Sequence, residues 1–174
     1  MADAPMTAQE ATAALEVLAQ QEQELCFSER FGSVEALELG TAAARLAPEY
    51  SEGYSVTITR ESDGAVIFQW ITDDKGARNL TFAAGKRAAA LKAGHASPWL
   101  QLQATANGEP PEKPWAKAPD VVPACGAFPL RVGSEWVATI AVSGLHEGLD
   151  HEVIIRALEQ VLGKTVPRFA TEVA

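Results

Sequence analysis

Apolar residues recur at helical spacing in two segments that precede any predicted strand. Thr7-Ala-Gln-Glu10 has the spacing of a capping box, and the apolar positions that follow predict a first helix to about Leu25. Ser33 can cap a second helix. This helix must end near Pro48, because proline cannot continue a helix.

Two segments instead alternate between apolar and polar residues, as strands do. The first runs through residues 54–58, and Asp63-Gly64 then favours a tight turn into a partner strand at residues 65–71. A second hairpin is predicted over residues 127–143, with its turn at Gly133-Ser134. In this second hairpin, Pro129 removes a hydrogen-bond donor, so its strand should be an edge or be bulged there.

Helices are also predicted between the hairpins. Asp73 or Asp74 can open a long helix that ends at Gly94, and a shorter helix follows over residues 97–107. Residues 109–123 contain five prolines and cannot form a regular element. A loop of this length inside a compact domain is usually an interface or a lid.

A last helix follows the second hairpin, with Asp150 as the expected N-cap and Gly163 as its stop. The order is therefore helix, helix, hairpin, helix, helix, hairpin, helix. This order predicts an antiparallel sheet with helices packed on it, an α+β or three-layer α/β/α domain. We expect a single domain, 1–174, with a core at about 7–163.

Composition narrows the class of protein. The 174 residues carry a net charge of -9, which argues against a nucleic-acid-binding surface. No apolar run approaches the length of a membrane span, and the first residues lack a secretion signal, so we expect a cytoplasmic protein without membrane contact. Cys26 and Cys125 lie far apart and are expected to be reduced thiols.

Charge is unevenly distributed along the chain. Residues 75–108 contain no acidic residue and five basic ones, so this segment carries +5 and the remainder carries -14. Three interpretations are open: a solvated helix face, a contact with an acidic partner surface, or a site for a small anion. The five basic residues are Lys75, Arg78, Lys86, Arg87 and Lys92.

Candidate ligand-binding residues occur within and after this basic segment. Lys86, Arg87 and His95 can approach one end of the predicted helical pair, and the planar guanidinium of Arg87 suits a carboxylate or phosphate. The alternative is that Lys86 and Arg87 are solvated and that His95 bonds the last helix carbonyls. Phe128 offers an aromatic face, whereas Cys125 has no activating neighbour in the sequence.

The stretch from Ser143 to His151 is another candidate. A metal site is disfavoured because five-residue spacing across a loop does not direct His146 and His151 to one point. If this stretch contacts a ligand, we expect Ser143, the Gly144 backbone or His151 to do so beside Arg87 and Phe128. His146 is left out of the predicted site.

Several of these motifs together resemble the GlcG/HbpS-like superfamily, whose domain is described as haem-degrading. The resemblance spans roughly residues 15–165. The motifs that carry it are Ala36-Leu-Glu-Leu-Gly40, Lys86-Arg87, Gly94-His95, Gly126-Ala-Phe-Pro129, Thr139-Ile-Ala-Val-Ser-Gly-Leu145 and Asp150-His151.

The resemblance implies a profilin-like fold, in which helices cover both sides of a central antiparallel sheet. It also implies a homo-oligomer, either a dimer or a larger ring or cage. Some members bind or process haem, so haem becomes a candidate ligand, with Arg87 and Lys86 attracting its propionates, Phe128 stacking and His95 contacting the iron. Cys125 departs from the family, which usually has glycine or histidine there.

Three functional hypotheses therefore come from the sequence. The first is a protein that binds a small anionic ligand, with haem as a candidate. The second is a non-catalytic oligomeric scaffold or adaptor that uses residues 109–123, with Trp115 at their centre, as an interface arm. The third is a hydrolase or isomerase with His95 or His151 as base, although the sequence offers no nucleophile with a partner.

Overall fold

The structure is a computed structural model, and it describes residues 4–110, 118–146 and 148–169. Trp115 and most of the proline-rich arm lie outside the described residues. The described chain forms five α-helices, which are α1 (Ala8–Glu24), α2 (Ser33–Arg45), α3 (Ala77–Ala93), α4 (Trp99–Ala106) and α5 (Leu149–Leu162). It also forms four strands, which are β1 (Ser55–Arg60), β2 (Val66–Ile71), β3 (Ala127–Val132) and β4 (Glu135–Ser143).

The four strands form one antiparallel sheet in the order β2-β1-β4-β3, so the two hairpins meet along β1 and β4. The predicted element order and the α+β class are therefore confirmed. β3 is an edge strand, as Pro129 indicated, and the register shifts between Leu130 and Arg131.

One face of the sheet carries large apolar side chains. Val56 of β1 pairs with Val142 of β4, and Ile58 of β1 pairs with Ile140 of β4. Ile140 also pairs with Phe128 of β3. All five are fully buried in the main core, where α2 packs on β1 and β2 while α5 packs on β3 and β4. Burial of these side chains supplies most of the driving force for this layer.

The opposite face carries small side chains. Ser55 pairs with Ser143, Thr57 pairs with Ala141, and Ala141 also faces Ala127. α3 packs on this face, with its alanines in a second buried cluster. Because alanines of α3 meet Ala127 and Ala141 of the sheet, the α3 backbone can approach the sheet closely there.

Three predicted helix starts are wrong by one or a few residues. Gly32, not Ser33, is the N-cap of α2. α3 begins at Ala77, because Asp74 accepts a hydrogen bond from the Gly53 N–H at 3.0 Å instead of capping the helix. α5 begins after Gly148, so Asp150 lies within its first turn.

Other predicted ends of helices are confirmed. The side chains of Thr7 and Glu10 form the capping box of α1. Gly94 and Gly163 end α3 and α5 in the left-handed conformation, with φ of 72° and 65°. Among the described residues, no helix is both long and apolar enough to cross a membrane.

A test of the packing between α2 and the sheet is Gly40→Ala. A Cβ at Gly40 would lie 2.4 Å from the Phe68 ring on β2, so the ring must shift. We expect a net loss of about 1–2 kcal/mol in the free energy of unfolding, because overpacking outweighs the gain in helix propensity. The measurement is urea unfolding of the two single variants and Gly40→Ala/Phe68→Leu. If Gly40→Ala is equally costly in the Phe68→Leu background, this contact is not the cause.

Candidate functional site

A pocket of about 370 Å³ lies between the first half of α3 and the chain that follows β4. This volume falls within the range of small-molecule sites. We call it the α3 pocket. The residues that line it include Lys75, Arg78, Phe82, Lys86, Cys125, Ser143, Gly144 and His146.

A buried ion pair forms the inner wall of the α3 pocket. Lys86 Nζ lies 2.7 Å from Asp150 Oδ2, and each side chain is 6% exposed. Lys86 also donates to the Val142 carbonyl at 3.0 Å, and Asp150 Oδ1 accepts from the Leu145 N–H at 3.0 Å. The two charges therefore connect α3, β4, the following loop and α5 at one point.

Two glycines allow close backbone contacts in this region. A Cβ on Gly126 would lie 2.3 Å from the Val142 carbonyl oxygen and 2.8 Å from Lys86 Nζ. A Cβ on Gly144 would lie 2.5 Å from the Gly53 carbonyl oxygen. Both glycines also have positive φ, 128° and 151°, which other residues rarely adopt. Gly126 thus lets the backbone pass beside Lys86, and Gly144 lets the chain after β4 pass beside Gly53 and Tyr54.

The rim of the pocket is basic. Lys75 and Arg78 come from the chain around the start of α3, and the Arg78 guanidinium lies 5.1 Å from the centroid of the Phe82 ring. Lys75 Nζ lies 3.6 Å from a carboxylate oxygen of Glu52, and His146 Nε2 lies 3.5 Å from the other. Asp150, the acidic residue in the pocket wall, is paired with Lys86, and the rim residues Lys75 and Arg78 are basic.

Cys125 lies in the pocket wall as a neutral thiol. It is buried, and burial raises the pKa of the thiol to about 12. A thiolate is the form that acts as nucleophile or metal ligand, so this cysteine lacks the required charge near neutral pH. Among the described residues, no group of three His, Cys, Asp or Glu side chains is arranged to hold a metal ion.

The structure brings together three of the seven predicted ligand residues, namely Lys86, Ser143 and Gly144. Arg87 lies apart from them, where its guanidinium forms a bidentate ion pair with Glu61. Glu61 also accepts from the Thr139 hydroxyl at 3.1 Å. The carboxylate that Arg87 holds is thus one of the protein's own.

His95 lies in a different cluster. Its Nδ1 is 3.0 Å from Glu22 Oε2, and its ring stacks on Trp99 with 3.6 Å between the centroids. The same carboxylate accepts from the Ala96 N–H at 2.7 Å and from Arg131 at 3.2 Å. The side chain of His95 therefore binds a glutamate of α1, whereas the sequence had suggested a ligand contact or, as the alternative, the last carbonyls of its own helix.

Phe128 and His151 both lie in the main core. Phe128 is fully buried, and its ring centroid is 5.9 Å from that of His151. His151 Nε2 lies 2.7 Å from Gln21 Oε1, while Phe169 stacks on the other side of the imidazole. The structure thus separates Arg87 and Phe128 from Ser143, although we expected them side by side.

Three basic side chains of the pocket, Lys75, Arg78 and His146, were missing from the predicted site. Lys75 and Arg78 belong to the basic segment, so its charge was the available signal, but the sequence did not show which of its cations converge. His146 was left out because the spacing to His151 excluded a shared metal. A histidine that acts alone needs no partner at a set spacing, and His146 lies at the rim with its side chain 80% exposed.

The buried ion pair can be tested with Lys86→Met. This change leaves the Asp150 carboxylate buried without its cation, which costs about 3–5 kcal/mol in the free energy of unfolding. Lys86→Met/Asp150→Asn should recover much of that loss, because no uncompensated charge remains. Lys92→Met, which removes an exposed lysine from the same helix, should change stability by less than about 0.5 kcal/mol. Chemical unfolding at neutral pH measures all three, and equal losses from both lysines would contradict a stabilising role for the pair.

His151 predicts a specific loss of stability in acid. Burial, together with the nearby charge of Arg168, lowers the pKa of His151 to about 3, whereas the unfolded chain titrates near the ordinary value of 6.5. As the pH falls below that value, the unfolded state binds a proton that the folded state does not. The folded state should therefore lose on the order of 3 kcal/mol between pH 7 and pH 4.

The measurement is the free energy of unfolding of the wild type and His151→Gln across this pH range. The difference between them should shrink or reverse toward pH 4, because the glutamine does not titrate. His146→Gln is the matched control at an exposed histidine, and its difference from the wild type should stay constant. A constant difference for His151→Gln as well would show that the buried imidazole does not set the acid limit.

Both the sequence and the fold of this chain are similar to those of known proteins. A family model described as "Haem degrading protein HbpS-like" matches residues 31–159. A UPF0303 protein of Streptomyces coelicolor is 31% identical over 149 residues, which cover 84% of this chain and 92% of the relative. The crystal structure of the Ybr137w protein aligns with a TM-score of 0.73 and 20% identity, covering 86% of this chain and 87% of the other.

A crystal structure of a PduOC–haem complex aligns with a TM-score of 0.60 and 18% identity, covering 80% of this chain and 97% of the other. At such identities the two solved structures establish the fold alone. The family model, by contrast, matches well over half of the sequence and includes α2, the whole sheet, α3 and most of α5. The chain therefore belongs to the HbpS-like haem-degrading protein family.

Proposed function

We propose that the protein binds a small anionic ligand in the α3 pocket, and that haem, held through its propionates, is the first ligand to test. The observation that carries this proposal is the position of Lys75 and Arg78. In a chain with a net charge of -9, these two cations lie together at the rim of one concave site. The negative charge of the rest of the protein repels anions at long range, so an anion would depend on short-range contacts with these cations.

The interior and the rim would have different roles. Lys86 is engaged by Asp150 and by a backbone carbonyl, so it supports the pocket wall. Lys75 and Arg78 would make the charge-assisted hydrogen bonds to the ligand, with Arg78 able to bind a carboxylate through two parallel donors. Phe82, beneath Arg78, supplies an apolar surface beside the charged groups.

The residues present fit haem at the mouth of the pocket. The pocket volume lies near the lower end of small-molecule sites, so a large macrocycle would cover the mouth and extend outward. His146, exposed at the rim, would be the imidazole that contacts the iron, whereas Cys125 is buried as a neutral thiol. When bound, haem supplies redox chemistry at its iron. The chain's own residues bind and orient the macrocycle.

Family membership supports haem as the ligand class, and the PduOC–haem complex shows that a protein of this fold can be crystallised with haem. No reaction forms part of the proposal. Scaffolding through residues 109–123 stays a prediction, because Trp115 lies outside the described residues.

The test uses three porphyrins that separate the contributions of iron and carboxylate. Hemin and iron-free protoporphyrin IX should both bind, whereas the dimethyl ester of protoporphyrin IX should bind about tenfold or more weakly, because its carboxylates are blocked. Lys75→Ala/Arg78→Ala should weaken both acids by a similar factor. His146→Ala should shift the Soret band and weaken hemin alone. Absorption and fluorescence titrations provide the measurements.

Two variants serve as controls. Lys92→Ala removes a lysine from the opposite end of α3 and should leave all three affinities unchanged. His95→Ala replaces the iron contact expected from the sequence and should leave the Soret band unchanged. If no porphyrin binds at micromolar concentration, haem is excluded as the ligand. If binding is unaffected by Lys75→Ala/Arg78→Ala, or depends on His95, the ligand lies outside the α3 pocket.

A further inference from the structure

The chain that follows α5 turns back and lies against α1 and α5. We call residues 164–169 the α5 strap. Lys164 Nζ donates to the Glu24 carbonyl at 2.7 Å, which connects the strap to the end of α1. The Val166 N–H donates to a carboxylate oxygen of Glu159 on α5 at 2.8 Å, and the Val166 side chain is buried. The strap is therefore anchored to both helices.

Arg168 fastens the strap further along α5. Its Nε donates to Glu152 at 2.8 Å, and one of its terminal nitrogens donates to Glu159 at 3.0 Å. Charge-assisted hydrogen bonds of this kind are stronger than neutral ones. Because Glu152 lies in the first turn of α5 and Glu159 lies two turns later, the strap covers the side of α5 between them.

His151 lies beneath the strap, where it is 2% exposed. Phe169 stacks on its ring with 5.0 Å between the centroids. Gln21 contacts both, because its Nε2 donates to the Pro167 carbonyl at 2.8 Å and its Oε1 lies 2.7 Å from His151 Nε2. A carbonyl can only accept, so Gln21 must present its NH₂ group to Pro167 and its oxygen to the histidine. The neutral imidazole therefore carries its proton on Nε2.

The other ring nitrogen of His151 is the place for a second proton. Nδ1 is buried and has no hydrogen-bond partner within the described part of the chain. Protonation would create a buried N–H donor without an acceptor, on a cation close to the positive charge of Arg168. The other contacts of the ring, with Gln21, Phe128 and Phe169, are uncharged. The closed strap is thus incompatible with an imidazolium.

The carboxylates near His151 are already engaged by other groups. Glu152 and Glu159 of α5 bind Arg168, while Glu22 of α1 binds His95. Asp150, the preceding residue, binds Lys86 on the other side of α5. No described carboxylate is therefore within ion-pair distance of the imidazole.

We propose that the α5 strap is an acid-sensitive latch, which opens when His151 is protonated while the sheet and its helices stay folded. Opening moves Arg168 and Phe169 away from the ring and lets water accept a hydrogen bond from Nδ1. It also separates Pro167 from Gln21. The protonated open form and the neutral closed form are then the two states of the latch.

The expected size of the effect follows from proton linkage. Burial holds the pKa of His151 at about 3 in the closed form, whereas in the open form it returns to about 6.5. As the pH falls below 6.5, the open form binds a proton that the closed form does not. The opening constant should therefore rise by about twentyfold between pH 7 and pH 5. Arg168 holds the pKa of Glu159 below its ordinary value of 4.5, so this carboxylate stays ionised over that range.

Hydrogen exchange of the full chain without ligand tests the latch. NMR follows the Val166 amide of the strap and the Val142 amide of β4, which donates to the Gly126 carbonyl. After correction for intrinsic exchange, the opening constant at Val166 should rise about twentyfold from pH 7 to pH 5. At each pH it should exceed the constant at Val142 by at least about tenfold, because the strap opens without unfolding of the sheet.

Three variants identify the titrating group. His151→Gln keeps a donor toward Gln21 but does not titrate, so the rise at Val166 should fall to less than about twofold. His146→Gln, at an exposed histidine, is the matched control and should keep the full rise. Arg168→Gln removes the ion pairs of the strap, so it should increase opening at both pH values and keep the dependence on pH. Circular dichroism confirms that each variant is folded.

A wild-type opening constant at Val166 that is the same at pH 7 and pH 5 would overturn the proposal. Equal opening constants at Val166 and Val142 would do so as well, because the strap would then open only by global unfolding. Both results need only the wild type. A full rise that persists in His151→Gln would assign the pH dependence to another group. Since no porphyrin is present, these outcomes are independent of ligand binding in the α3 pocket.

Discussion

The ion pair between Lys86 and Asp150 is the constraint around which this side of the molecule is arranged. Two buried charges are tolerated only when each meets the other and their remaining hydrogen-bonding groups are satisfied. Here the Val142 carbonyl and the Leu145 N–H meet that requirement. The end of β4, the loop after it and the start of α5 must therefore keep fixed positions relative to α3. The shape of the pocket follows from that requirement.

The sheet makes this arrangement feasible because its two faces differ. Large side chains on one face form the main core with α2 and α5, while small ones on the other allow α3 to lie close enough for Lys86 to reach across. Gly126 and Gly144 extend the same principle to the backbone. A methyl group at either position would collide with a carbonyl oxygen, so glycine is a steric requirement of the site.

The same division separates two surfaces with different chemistry. The α3 side presents a basic rim in an acidic protein, which suits an anionic ligand. The α2 side presents the exposed apolar residues Val34 and Leu37. Because the sheet lies between them, each surface can be altered without disturbing the other.

The sequence by itself determined the element order, the fold class, the edge position of β3 and the glycine ends of α3 and α5. These depend on local periodicity, on proline's missing donor and on the conformations open to glycine, all of which act over a few residues. It also located the basic segment from which the cations of the pocket come. Lys86 was found on this basis, whereas Ser143 and Gly144 were found from the stretch that follows the last strand.

Only the tertiary structure decided which charges meet. Asp150 has the residue type and position of an N-cap, yet it binds Lys86, 64 positions earlier in the chain. Arg87 is adjacent to Lys86 but points to Glu61, and His95 binds Glu22 of the first helix. Ion pairs form between side chains that packing brings within a few ångströms, and that proximity depends on the crossing of whole elements. Residue spacing in the sequence carries no record of it.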